Sequence, residues 1–431
     1  MSNVLIFQAL GILAVFVIFV ILMMQRKIPT IIALPLMAIL FGLIGGVPLM
    51  SSDPEQVTIV GSILGEGSMR MSTAIAGVIF GSFFGQLLSK VGVTKGIIRK
   101  AAETAGDKAI LIALTFFAVG TIIISASGGL GMVILIGTIM VPIMLTTGVA
   151  PITASIVLLL SVGTGALFNV SNWAVYVDVL GLPVSEIAYY TWVSAVPLIV
   201  IGAIMIVVSI KKQGSVRKTW AMNNDFSNKN EKNVRTIALI SPIIPVLLVF
   251  IFSMDVVAAI IIGIMITLIL STPKRPLQVV SGSFVEGIQE VAGAVALMIG
   301  IGMLLNAVMA PEVAAVLSPF IEMIIPSGMI GYILFFTILS PLAIYRGPLN
   351  VFGLGSGVAA LLVSAGLSPL AAMIALRNLS SLQGVSDPTN SHNVWIADFT
   401  KVDVNIILRK TIGWMILVVF VSMVIGAFIL Y

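Results

Sequence analysis

The residues able to bind or carry something sit where charge is costly. Arg377 lies inside the apolar run 370–382. A charge there costs at least about 2.5–3.5 kcal/mol on insertion scales, so such a residue is a functional candidate. The structural alternative is a snorkelling or ion-paired arginine. Asn378, Ser380 and Ser381 make its surroundings polar. Arg346 stands beside Gly347, Pro348 and Asn350 as a second candidate cation or as an interfacial anchor. A guanidinium grips a carboxylate through two parallel hydrogen bonds, so two such arginines favour a carboxylated ligand.

Neutral polar residues gather around them. Ser161, Thr164, Asn169, Ser171 and Asn172 correspond to Ser380, Ser386, Thr389, Asn390, Ser391 and Asn393 later in the chain. Such groups bind substrate oxygens or coordinate Na⁺ beside unwound carbonyls; they also cap broken helix ends. The substrate-binding set is Arg377, Arg346, Asn378, Asn169, Thr164, Ser171, Asn172, Thr389, Asn390 and Ser391. Asp387 precedes helix-breaking Pro388 and is read as holding a coupling cation or proton, with Ser161 and Ser386, or as capping the next segment. His392, the single histidine, reads as a hydrogen-bonding residue. Asp178 and Asp398 read as caps or contacts between halves, and Glu66 and Glu286 as charges at helix N-termini. Trp173, Trp192, Trp395 and Trp414 are expected at membrane interfaces.

The elements that must position these groups occur twice. Residues 161–192 and 381–414 each begin inside an apolar span, break into Gly, Ser, Thr and Asn, then give a Trp and an Asp. Asp178 and Asp398 are 398 − 178 = 220 positions apart, as are Ser171 and Ser391, and Glu66-Gly67 and Glu286-Gly287. Ser127 aligns with Arg346 at 219, and Pro151 with Pro369 at 218. Polar interruptions in lipid are costly for the freed backbone. Two of them in corresponding halves point to a transporter's binding site. The spans are expected to fail over 163–172 and 383–393, and the run 125–131 to form a broken or hairpin element.

Composition sets the class. The 431 residues are 59% hydrophobic and only 9% charged, with no cysteine; the mean hydropathy is +1.20. Soluble domains carry about 25% charged residues. This is a polytopic all-α membrane protein of about 11–14 membrane segments. Thiolate chemistry and Cys-ligated metals are excluded, no P-loop pattern supports ATP-driven work, and no enzyme constellation emerges. The formal charge of +5 falls in short loops and does not suggest nucleic acid. The first span lacks a basic leader and cleavage site and reads as a retained helix.

Lysines and arginines at span ends mark the cytoplasmic side. By that rule the first half (1–210) starts outside. The linker 211–235, with seven basic and two acidic residues, is cytoplasmic, and the second half (236–431) starts inside. Equivalent spans then cross in opposite directions, an inverted-topology repeat suited to alternating access.

The order of these features resembles the ion transporter superfamily of secondary carriers, especially its gluconate permease and citrate–metal symporter branches. The nearest local likeness is Val177-Asp178-Val179-Leu180-Gly181-Leu182-Pro183 running to Thr191-Trp192, with Gly92-Val93-Thr94-Lys95-Gly96 through Lys108 as another. The resemblance implies a H⁺- or Na⁺-coupled importer of small organic anions, two inverted repeats with re-entrant hairpins, and a homodimer.

The expectation is cation-coupled symport of a small carboxylate such as citrate, gluconate or a C4-dicarboxylate, by a multi-pass protein of the inner (plasma) membrane. No cofactor is needed beyond the coupling cation, and the partners are the anion, the bilayer and a second copy. A Na⁺/H⁺ antiporter and a passive anion channel are the rivals.

Overall fold

A computed structural model describes residues 3–213, 234–326, 328–345 and 347–431, and every regular element among them is a helix. Helices satisfy backbone polar groups within their own segment, as lipid demands. The chain opens with α1 (Asn3–Met24) and α2 (Thr30–Gly45), the latter stopped by Gly46 at φ 91°. A π-helical stretch (Ile59–Glu66) leads through α3 (Gly67–Met69) into α4 (Ser72–Lys90). Then come α5 (Val93–Ala105), α6 (Ala109–Ala126) and α7 (Leu130–Thr146). The half closes with α8 (Pro151–Phe168), α9 (Val170–Leu180), α10 (Val184–Tyr189) and α11 (Thr191–Lys212).

A 3₁₀ stretch (Thr236–Ile243) opens the second half, followed by α12 (Ile244–Phe252) and α13 (Val256–Ser271). Next are the long α14 (Pro276–Met309), α15 (Pro311–Ile321) and α16 (Gly328–Leu339). The chain ends with α17 (Leu354–Ser364), α18 (Pro369–Ser386), α19 (Ser391–Thr400) and α20 (Val404–Leu430). Prolines at the first position start α8, α14, α15 and α18, where a missing N–H costs nothing. Asp255 and Asp403 cap α13 and α20 through backbone N–H groups two residues on. Among the described residues, seven helices are long and apolar enough to cross a membrane, and shorter apolar helices accompany them. The chain is a polytopic all-α membrane protein.

The two halves interlock. α4 packs chiefly on α14, α8 on α6 and α18, and α19 on α7 and α8. The α4–α14 crossing is reciprocal. A Cβ on Gly67 would lie 2.8 Å from Met303 Cα, and one on Gly287 would lie 2.7 Å from Phe83 N. Arg70 Nη1 donates to Asn306 Oδ1 at 2.8 Å, and Gln86 Nε2 donates to Glu290 Oε2 at 2.9 Å. The partners match at one spacing: 287 − 67, 303 − 83, 290 − 70 and 306 − 86 are all 220. Each half thus presents the same patch to the other, as in a two-fold, self-complementary interface.

Glu286 corrects one reading. It is not at a helix N-terminus but inside α14, paired with Lys90 at 2.8 Å.

Candidate functional site

Both spans break, over shorter stretches than the sequence implies. α8 stays helical through Phe168, and the break is Asn169 alone. α18 stays helical through Ser386, and residues 387–390 form the break. Gly163 and Gly165 therefore serve close packing rather than unwinding. A Cβ on Gly163 would meet Val385 Cγ2 at 2.7 Å, and one on Gly165 would meet the Thr121 carbonyl at 2.8 Å. The glycines let α8 approach α18 and α6 closely.

The breaks are built alike. α8 and α18 each have 18 residues and a leading proline, and stop at a residue of nearly identical backbone: φ −74°, ψ 111° at Asn169, φ −73°, ψ 113° at Asp387. Each stopping side chain accepts from the N–H two residues on, Asn169 from Ser171 and Asp387 from Thr389, at 2.9 Å. A helix end leaves four carbonyls without partners, and the neighbouring polar residues supply them. Asn172 donates to the Ala166 carbonyl and Trp173 to that of Leu167. Asn390 donates to Gln383, His392 to Gly384 and Asn393 to Val385, at 2.9, 2.9 and 3.0 Å. Asn169 reaches sideways to the Ile124 carbonyl at the end of α6. Much of the polar run closes the breaks rather than facing a ligand.

Trp173 is another correction. Fully buried, it stacks edge-on against Phe250 and caps α8, packed within the protein rather than presented at its surface.

Arg377 joins the halves. It projects from α18, is 1% exposed, and donates to the Leu167 carbonyl, the Ile187 carbonyl (3.1 Å) and Thr191 Oγ1 (3.0 Å). A guanidinium at the ends of α8 and α10 meets the negative poles of both helices. Trp173 and Tyr176 flank it, each with its ring centre 5.8 Å from Cζ. Among the described residues it has no ion-pair partner. The other buried charge there is Asp387, ten residues along the same helix and roughly 15 Å away. Beside Arg377 lies a narrow pocket lined by Ala166, Leu167, Asn172, Tyr176, Phe352, Ser380 and Ser381. In this conformation it has room for little more than a water.

Five buried side-chain oxygens near the breaks have no partner: Thr164 Oγ1, Ser171 Oγ, Asn378 Oδ1, Asn393 Oδ1 and Asp387 Oδ2. Arg377 Nε lacks one too. Asn378 donates its amide to Ser194 at 2.8 Å. Ser171 packs against Gly81 of α4.

Other expected residues lie elsewhere. Ser161 turns toward α6, donating to the Val157 and Phe117 carbonyls. Ser386 pairs with Thr411 of α20 at 2.9 Å. Ser391 is exposed. Arg346 falls outside the described residues; nearby Asn350 is buried with Oδ1 unpartnered. Asp178 accepts from Ala74 N at 2.7 Å, capping α4, and Asp398 pairs with Lys401 on the surface. Among the described residues no group of three His, Cys, Asp or Glu side chains is placed to hold a metal.

No protein-family model and no curated protein sequence matches the chain. A solved structure does: the YdaH transporter of Alcanivorax borkumensis, at 12% identity and a TM-score of 0.60, over 92% of this chain and 97% of that one. That likeness does not reach the gluconate or citrate–metal branches. The fold of this chain is one found in a membrane transporter.

Proposed function

We propose that the protein is a secondary active transporter that couples entry of Na⁺ or H⁺ to symport of a small organic anion by alternating access between two inverted repeats. The observation that carries this reading is Arg377, a buried cation with no anionic partner among the described residues, set between two broken helices and beside a pocket. Three of its five N–H groups are engaged, on Ile187, Thr191 and Leu167. Nε–H and one Nη2–H remain. That leaves one edge of the guanidinium for a carboxylate, with the second amide hydrogen of Asn172 and the Ser380 hydroxyl at hand for its further oxygens.

Asp387 supports coupling. Its Oδ2 occupies the place that the Asn169 amide nitrogen holds in the other half. Buried without a donor, it calls for a cation or a proton. The likeness in fold to a transporter supports transport over catalysis, and the gluconate permease and citrate–metal symporter branches remain the reading of the short motifs.

Proteoliposomes test the reading. Under an imposed Na⁺ or H⁺ gradient, a small carboxylate is expected to accumulate above its equilibrium level. Cation exchange with no anion movement would indicate an antiporter built on Asp387, and downhill flux alone would indicate a channel.

A further inference from the structure

The α4–α14 crossing holds the glycine turn of one half and leaves its counterpart in the other half free. Glu290, midway along α14, accepts from Gly131 N and Gln86 Nε2, each at 2.9 Å, and from Ser82 Oγ at 3.3 Å. The first turn of α7 is thereby docked on a carboxylate, the charge that a helix N-terminus favours. A Cβ on Gly129 would stand 2.5 Å from Glu290 Oε1, so the turn is shaped to this side chain.

At the equivalent place in the other half stands Arg70, 220 residues before Glu290. The residue equivalent to Gly131 is Asn350, 350 − 131 = 219 positions on. Polarity is reversed throughout. Glu290 takes a donor from Gln86, whereas Arg70 gives one to Asn306. Gly131 offers an N–H, whereas Asn350 carries an acceptor, Oδ1. A contact between Arg70 and Asn350 would be complementary, yet it is not made. Arg70 Nε and Asn350 Oδ1 are both buried without a partner among the described residues, and Arg70 Nη2 rests on the Met309 thioether, a weak acceptor, at 3.1 Å. Two unmatched groups of opposite polarity are costly apart and would satisfy each other together.

Both lie beside one stretch of α14. Arg70 packs on Gly302 and bonds Asn306, and a Cβ on Gly357, in the first turn of α17, would meet Leu304 at 3.3 Å. Asn350 is tied to that helix start through its carbonyl, which accepts from Gly355 N at 2.8 Å. Two further differences mark the second half as undocked. α7 begins at Leu130, but the equivalent 349–353 are turns, and α17 begins only at Leu354. Ser171 of α9 is buried against Gly81 of α4, whereas its counterpart Ser391 of α19 is exposed.

We propose that the protein has a second conformation in which the docking is exchanged: Asn350 Oδ1 accepts from Arg70, 349–353 wind onto α17, and Gly131 leaves Glu290. One charge-assisted hydrogen bond replaces another, so the two arrangements are close in energy. Pro348, just ahead of 349–353, is a residue on which helices start. The use of this exchange in transport rests on the carrier reading; the exchange itself does not.

Hydrogen exchange of the purified full chain reads it without any substrate. Glu290→Ala removes the dock seen here and leaves Arg70 and Asn350 in place. Protection of the amides at 130–133 is then expected to fall, and that at 349–353 to rise, each by at least about threefold. Adding Asn350→Ala, or Arg70→Gln, should abolish the rise at 349–353 and keep the fall at 130–133. A purely local role for Glu290 predicts the fall alone. Unchanged protection at 349–353 in Glu290→Ala, or a rise that survives both added substitutions, overturns the proposal. The expected exchange pattern in a protein that moves no carboxylate would sink the carrier reading and leave the exchange of contacts standing. Carboxylate accumulation with 349–353 unchanged would do the reverse.

Discussion

The break at Asn169 and the break at Asp387 share a backbone and differ in chemistry. In the first, one atom of the stopping side chain accepts and the other donates, so the turn is complete in itself. In the second, Oδ1 takes both the N–H and the hydroxyl of Thr389, and Oδ2 is left buried with no partner. An amide closes its turn; a carboxylate in the same place stays open for something positive. The two breaks thus differ in what they leave unmatched: the first is closed by its own amide and the second keeps a buried carboxylate oxygen without a donor, while Arg377 reaches from the second half to the carbonyls of the first.

The largest effect should come from making the breaks alike. Asp387→Asn turns the second into a chemical copy of the first. Gradient-driven accumulation should then drop roughly tenfold or more, as for one lost ionic contact, while substrate-for-substrate exchange continues. Accumulation at the wild-type level would move coupling away from this residue. The reverse change, Asn169→Asp, aims an oxygen at the Ile124 carbonyl where a donor stood. An unmatched buried acceptor costs about 1–3 kcal/mol, so the purified protein should melt several degrees lower, and an unchanged melting temperature would show that the first break is not closed by its amide. The smallest effect belongs to Thr389→Val, which removes one hydroxyl bond to Asp387 Oδ1 and keeps the backbone bond. A loss of about 0.5–1.5 kcal/mol is expected in thermal unfolding, with transport retained.

This comparison also marks what the residues reveal unaided. The existence of two breaks, their pairing at an offset near 220 and the odd placement of Arg377 follow from local chemistry: proline starts, clustered small polar residues, and a charge in an apolar run. The limits of the breaks do not. A glycine in an apolar helix reads the same whether it unwinds the chain or admits a neighbour, and only the contact of Gly163 with Val385 and Ser381 decides between them. Trp173 goes inward to donate to the Leu167 carbonyl, which is left without a helical partner only because α8 ends there and which Arg377 also meets. Glu290 had a local signal, a carboxylate inside a long apolar stretch. Its partners Gly131, Gln86 and Ser82 lie 159, 204 and 208 residues away, which hid its place in the crossing. The 220 spacing that pairs it with Arg70 was the clue available.

Substrate binding to Arg377 tests the central claim most directly. A panel of small carboxylates is screened for stabilisation of purified wild type and Arg377→Gln, both first shown to be folded. A binding carboxylate at about one hundred times its dissociation constant should stabilise wild type by about 2.7 kcal/mol, and Arg377→Gln should show no shift. Equal stabilisation of both proteins by the same carboxylate would contradict the account, since the anion would then be held without the buried cation that joins the two halves.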